Sequence, residues 1–360
     1  MRKHEIDTPA LLIDLDIMEM NISRMANYFR GVDADLRPHI KVHKTPTIAH
    51  KQLEAGAVGV TCAKLGEAEV MVESGIKSVL ISNEVVGKSK VERLVNLARH
   101  GDVIVAVDNA QNVGNLSDLA SSKGVALGAV VEVDIGLNRC GVSSGRQALR
   151  LAKGIVRSKG LRFRGVMGYE GALLQFPNSH ERSEECGRRL RRLVETKNVI
   201  QKAGIDIEIV SAGGTRTYNI AGEYPGITEV QAGTYVFMDA QTKYGMQGFE
   251  EFDCAMSVLA TVMSKPARDR AVVDAGLKAI SPELGMPRIK DIEGVEYVHF
   301  YEEHGMLKLN KPSRKINVGD KLELIPSYAS TTVNLYDNLK GIRRNMLETT
   351  WAISARGKTT

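Results

Sequence analysis

Residues 57–82 read AVGVTCAKLGEAEVMVESGIKSVLIS. Short β-branched runs open and close the stretch, AVGVTCA at 57–63 and SVLIS at 78–82, and LGEAEVMVESG between them reads as a helix ending at a glycine that can serve as C′. Strand, helix and strand in that order form a unit of a parallel sheet. The same alternation runs from about residue 37 to 235, with further candidate strands RPHIK (37–41), VIVAVD (103–108), AVVEVD (129–134), FRGVMGY (163–169), IEIVSAG (207–213) and EVQAG (229–233). Counted with the first two, these make the eight repeats that a (β/α)8 TIM-like barrel needs. After 245 the texture changes to FDCAMSVLATVMS, RAVVDAGL, EYVHFYEEHGMLKL and DKLELIP, split by Gly, Pro and Asn turns, which predicts a C-terminal all-β domain. The expected domains are a barrel over 1–245 and a β domain over 246–360, with residues 1–16 as a segment that can join the β domain.

The chain has 360 residues, 43% of them hydrophobic and 25% charged, a globular composition long enough for two cores. Its net charge of +5 is scattered, so no basic stripe tracks a phosphate backbone and nucleic acid is not an expected partner. Arg188, Arg189, Arg191 and Arg192 follow an acidic run at helical spacing and read as a solvated helix face. Cys62, Cys140, Cys186 and Cys254 lie far apart with no CxxC pair, which argues against a zinc site or a disulfide framework and fits reduced thiols in a cytoplasm. The opening MRKHEIDTPALLIDLD lacks a long apolar h-region, and no stretch approaches the roughly 18 apolar residues of a membrane span. No membrane partner is expected.

Barrel chemistry sits where strands end, so those residues are the ones to read. In LRPHIKVHKT, period-two alternation puts His39, Lys41 and His43 on one side of an extended strand. A lysine facing a barrel mouth is desolvated, its pKa falls, and its neutral amine can bond a carbonyl carbon. The position equally suits a surface lysine at a strand end, and Lys44 is a rival anchor. In VSAGGTRTY, Gly213 and Gly214 followed by Thr215 can close backbone N–H groups around an anion, and VQAGTY adds Gly233 and Thr234. These are the loops after strands seven and eight, where barrel phosphate sites concentrate, although each pair also reads as an ordinary turn. In VEVDIGLNRCGV, Arg139 can bind a carboxylate bidentately or pair with Asp134 in a loop salt bridge. Tyr169, closing strand six, can donate to a ligand or cap the core.

These motifs carry a resemblance. TPALLIDLD, RPHIKVHK, GVTCAKLGEAE, ISNEV, VEVDIGLNRCGV, YEGALLQ, SAGGTRTY, VQAGTYVFMDA, VVDAGLKA, EEHG and ISARG occur in this order over nearly the whole chain. The sequence resembles the alanine-racemase-like pyridoxal phosphate enzymes that include D-threonine aldolase, 3-hydroxy-D-aspartate aldolase and D-serine dehydratase. The resemblance implies that Lys41 holds pyridoxal 5′-phosphate as a Schiff base and that Gly213, Gly214, Thr215, Gly233 and Tyr235 surround its phosphate. It brings Arg139 and Tyr169 to the ring, and His39, Ser211 and Gln231 complete the candidate cofactor set. A small D-amino acid is the implied substrate and a homodimer the implied assembly.

Two departures bear on the reaction. Relatives place a PxHxC or PxHxD segment on a divalent metal, whereas this chain reads PSYAS, with Tyr328 and Ser330 at the ligand positions. Neither neutral group is a good ligand, so no metal is expected there. Arg216 stands where many relatives have glycine. The leading expectation is retro-aldol cleavage of a D-β-hydroxy-α-amino acid, with Tyr328 or His304 accepting the hydroxyl proton. Racemisation, D-serine dehydration and non-catalytic cofactor carriage are the alternatives.

Overall fold

The computed structural model describes residues 1–360, which divide into two compact units: Met25–Gly233 with Ala355–Thr360, and Met1–Arg24 with Thr234–Ser354. In the first unit eight parallel strands follow the chain around one sheet: Asp35–Leu36, Val60–Cys62, Ser78–Glu84, Asp102–Val107, Leu127–Glu132, Leu161–Met167, Ile209–Ala212 and Glu229–Val230. The first pairs with the eighth, Asp35 opposite Glu229 and Leu36 opposite Val230. Between the first two strands the ring closes through the parallel bridge His39↔Thr61 and the Thr61 N–H bond to the Pro38 carbonyl, 2.8 Å. Strands covered on both faces read as continuous apolar runs, and every residue of Leu127–Glu132 is buried. Leu80, Ile104, Ala106, Val130, Met167 and Ile209 form one core cluster from five neighbouring strands.

The expected helices are present. Leu65–Glu73 is followed by Gly75 at φ +90°, and Ser179–Lys202 runs from an Asn178 cap to Gly204 at φ +79°. The first strand departs from the sequence reading. Its regular strand is only Asp35–Leu36; the Arg37 and His39 N–H groups still bond the Val230 (2.9 Å) and Ala232 (3.1 Å) carbonyls, but Pro38 has no N–H to donate and Ile40–Val42 winds into a single 3-10 turn in place of the rest of RPHIK.

In the second unit the sheet runs Val295–Phe300, Gly305–Leu309, Arg270–Val273, Met256–Ala267, Ala10–Asp14, Asn338–Arg343 and Met346–Ala352, with Arg288–Ile289 and Lys321–Ile325 attached beside it. Ala10–Asp14 lies antiparallel to Met256–Ala267 and parallel to Asn338–Arg343, so Ala10, Leu12, Leu259 and Ile342 meet in one cluster. Two short helices, Ala240–Gly245 and Ala329–Val333, interrupt the strands. The divide between units falls after Gly233, ahead of 245, because 234–245 bonds into the β unit: Ala240 N–H to the Pro326 carbonyl (3.0 Å), and the Phe237 carbonyl to Ala255 N–H (2.7 Å). Ala355–Thr360 belongs to the barrel, through Ala355 N–H to the Lys44 carbonyl (3.0 Å) and Gly66 N–H to the Thr360 carbonyl (3.1 Å). No helix is long and apolar enough to cross a membrane.

Candidate active site

The loop after the first barrel strand separates its two lysines. His39 caps the turn Ile40–Val42, its Nδ1 accepting the Lys41 N–H at 3.5 Å while Nε2 lies 3.4 Å from Ser82 Oγ. Ile40 and Val42 are buried and pin the turn, leaving the half-buried Lys41 between them. Burial first, then the guanidinium groups of Arg139 and Arg216, lower the Lys41 pKa to about 8, against the opposing pull of Glu67. The same burial and the Lys41 charge hold His39 well below its ordinary value, so its ring is neutral.

Lys44 has a different fate. Its backbone is left-handed at φ +53°, and its ammonium is buried 2.7 Å from Glu67 Oε1. Glu67 Oε2 also accepts the N–H groups of Ala63 (2.7 Å) and Lys64 (3.2 Å), which caps the helix Leu65–Glu73. His43 does not share a face with Lys41, because the 3-10 turn breaks the period-two register. Its Nε2 lies 3.2 Å from Gln52 Oε1, its Nδ1 accepts the Thr45 N–H at 3.1 Å, and burial lowers its pKa to about 4.

Arg139 lies 5.9 Å over the Tyr169 ring, and its Nη2 is 3.8 Å from Glu132 Oε1. Asp134 instead caps its own loop, accepting the N–H groups of Gly136 (2.9 Å) and Asn138 (3.1 Å). Burial and the neighbouring Glu84 push Glu132 up to about 8, against the pull of Arg139.

The turn after strand seven carries Gly213, Gly214 and Thr215, but its first two N–H groups already have partners. Gly213 N–H donates to Glu170 Oε2 at 3.1 Å, and Gly214 N–H donates to Thr217 Oγ1 at 3.0 Å. The glycines are required sterically. Gly213 has φ +78°, and a Cβ there would stand 2.9 Å from Val230 Cγ1. A Cβ on Gly233 would come within 2.5 Å of the His39 carbonyl, so this glycine lets strand eight approach the Lys41 loop. Gln231 Nε2 donates to Ser211 Oγ at 2.8 Å, which joins these two candidates to each other.

Lys41, His39, Arg139, Tyr169, Gly213, Gly214, Thr215, Gln231 and Gly233 therefore all belong to the barrel unit, beyond strand ends, and Ser211 belongs to it within strand seven. Tyr235, Tyr328, His304 and Ser330 belong to the β unit. Tyr235 is buried with its ring 6.4 Å from that of Phe252, Tyr328 is half-buried before the helix Ala329–Val333, and His304 is exposed in the turn between strands Val295–Phe300 and Gly305–Leu309. No cluster of three or more His, Cys, Asp or Glu side chains has the arrangement to hold a metal ion.

Spacing alone passed over Glu67, Glu170 and Thr217. The available signal was Glu170 itself, a charged residue directly after Tyr169 at a strand end, which needs a partner if buried. Arg189, read as part of a solvated face, is half-buried and donates to the Glu170 carbonyl at 2.7 Å, while Arg188, Arg191 and Arg192 are exposed.

Residues 13–241 match the family described as alanine racemase, N-terminal domain, and residues 255–342 match a putative serine dehydratase domain. The chain is 38% identical to a D-threonine aldolase of Arthrobacter sp. over 98% of its own length and 93% of the relative's. It is 36% identical to a 3-hydroxy-D-aspartate aldolase of Paracoccus denitrificans over 99% and 94% of the two chains. The crystal structure of D-threonine aldolase from Filomicrobium marinum superposes with a TM-score of 0.96 at 38% identity, covering 99% of this chain and 98% of that one.

Proposed function

Since this chain belongs to the alanine-racemase-like family that includes the D-threonine and 3-hydroxy-D-aspartate aldolases, we propose that it is a pyridoxal phosphate-dependent lyase. Its reaction is retro-aldol cleavage of a small D-β-hydroxy-α-amino acid to an amino acid and an aldehyde. One observation carries the reading: Lys41 has an amine made acidic by burial and two arginines, while its neighbour Lys44 is tied to Glu67. The residues fit the cofactor, because a site with Lys41, Arg139 and Arg216 in electrostatic reach of one another calls for an anionic ligand with an electrophilic carbon.

Pyridoxal phosphate, when bound, supplies an electron-withdrawing ring that weakens whichever Cα bond lies perpendicular to it. Lys41 holds the cofactor through its amine, and His39 fixes the Lys41 backbone while staying neutral. Arg139, resting on Tyr169, offers its charge to an anionic group of cofactor or substrate. Cleavage further needs a base at the β-hydroxyl, a role that falls to Tyr328 or His304. With Tyr328 and Ser330 at the positions where relatives carry metal ligands, the cleavage proceeds without a divalent metal.

The test is incubation of the purified protein with D-threonine, D-phenylserine and D-3-hydroxyaspartate, with manganese and with EDTA, while aldehyde is assayed. Aldehyde from at least one substrate, undiminished by EDTA, is expected; none from any of the three removes the proposal. The match of residues 255–342 to a putative serine dehydratase domain favours a second reading, dehydration of a D-hydroxyamino acid, and pyruvate release from D-serine is its signature.

A further inference from the structure

We propose that Glu170 is a positioning residue for the anion-binding turn Gly213–Thr217, which it holds from beneath by drawing the first two N–H groups of the turn away from the ligand. The inference rests on the cofactor reading above. Glu170 is fully buried at the end of strand six, one residue beyond Tyr169. Its two carboxylate oxygens divide the turn between them: Oε2 accepts the Gly213 N–H at 3.1 Å, and Oε1 accepts the Thr217 hydroxyl. Thr217 Oγ1 accepts the Gly214 N–H at 3.0 Å, so the second glycine is held through one intermediary. Behind the carboxylate, Arg189 Nη1 donates to the Glu170 carbonyl at 2.7 Å and Arg189 Nε to Glu185 Oε1 at 2.6 Å.

A carboxylate under a phosphate turn looks electrostatically wrong, because it repels the dianion it helps to seat. Three features make it workable. Each oxygen receives a hydrogen bond, which satisfies a buried acid. Arg189 brings a cation within electrostatic reach of it, and Arg216, buried within the turn, adds a positive charge to the turn itself. Gly213, at φ +78°, adopts a conformation that glycine alone tolerates well, and in it the N–H meets Glu170. The anion is then met by the positive charge of Arg216 rather than by these two N–H groups. Glu170 trades two backbone donors for a rigid turn, and the Arg216 charge offsets their loss.

The turn acts on the phosphate and Lys41 acts on the aldehyde, so the two contributions separate by comparing pyridoxal phosphate with pyridoxal. Absorbance titration of the full-length protein and its Glu170→Ala, Glu170→Gln and Thr217→Val variants gives the preference for the phosphorylated form. Glu170→Ala and Thr217→Val should each lower that preference about tenfold or more, the worth of a charge-assisted hydrogen bond. Pyridoxal binding should stay within about twofold, and Glu170→Gln, which keeps an acceptor for Gly213, should fall between. Phosphorus NMR of the bound cofactor should shift in the same order. An unchanged or increased preference in Thr217→Val and Glu170→Gln, with melting curves that show intact folding, overturns the inference even if Glu170→Ala does not fold. Wild-type protein that binds neither compound overturns the cofactor reading and this inference together.

Discussion

The loop after the first barrel strand and the turn after the seventh present the same ambiguity and resolve it in opposite directions. Each offers a pair of similar residues, Lys41 and Lys44 in one, Gly213 and Gly214 in the other. In each a carboxylate from a different element decides what the pair can do. Glu67, at the start of the helix Leu65–Glu73, pairs with Lys44 and leaves Lys41 without an ion pair as close. Glu170, just beyond strand six, engages both glycine N–H groups, one directly and one through Thr217, and so takes them out of reach of a ligand. The comparison teaches that local spacing finds where chemistry can occur, whereas partners brought from other strands decide which atoms remain to perform it.

The comparison breaks most directly at Lys41. If Glu67 selects between the lysines, Lys41→Ala removes the amine that holds the cofactor and lowers turnover by about a thousandfold or more, as loss of a covalent group does. Lys44→Ala keeps the absorbance band of the lysine-bound cofactor. A band that survives in Lys41→Ala and vanishes in Lys44→Ala would reverse the assignment.

A smaller effect separates the lysines by stability. Lys44→Met leaves Glu67 buried without its cation, and breaking a buried pair from one side costs about 3 kcal/mol. Lys44→Met combined with Glu67→Gln should recover much of that loss, because the uncompensated charge is gone. Lys41→Met has the opposite sign. A lysine whose folded pKa lies near 8, below its ordinary 10.5, binds fewer protons folded than unfolded between those values. Its charged form therefore weakens the fold at and below pH 8, and stability recovers as pH rises toward 10.5. Urea midpoints at pH 7 should fall for Lys44→Met and hold or rise for Lys41→Met.

The barrel was legible because parallel strands buried on both faces read as β-branched runs, and all of them after the first overlap the runs the sequence offers. RPHIK was misread for a local reason, a proline followed by a 3-10 turn, and with the register went the shared face of Lys41 and His43. In the β unit the apolar run Ala10–Asp14 is visible, but its neighbours Met256–Ala267 and Asn338–Arg343 lie hundreds of residues away, and nothing in the run names them. Arg139 was visible while its partner was not. Asp134 is nearer in sequence but is committed to the N–H groups of Gly136 and Asn138, so the ion pair goes to Glu132. Glu170 escaped because a carboxylate beneath a phosphate turn has no reason to be there until the glycine N–H groups are seen to point at it.

The finest test concerns how the Lys41 amine is tuned. Capture of pyridoxal phosphate by the apo-protein requires the neutral amine, so its rate should rise with pH and level off above about 8. Burial is the largest cause of that value, and burial alone predicts that removing a nearby charge leaves the midpoint in place. The arginines and Glu67 predict movement of opposite sign. Arg139→Met takes away a cation that disfavours the ammonium, so the midpoint moves up; Arg216→Met moves it the same way by less; Glu67→Gln takes away an anion that favours the ammonium, so the midpoint moves down. Stopped-flow absorbance across pH 6 to 10 reads all three. Midpoints that stay together would assign the acidity of Lys41 to desolvation and remove the arginines from its tuning.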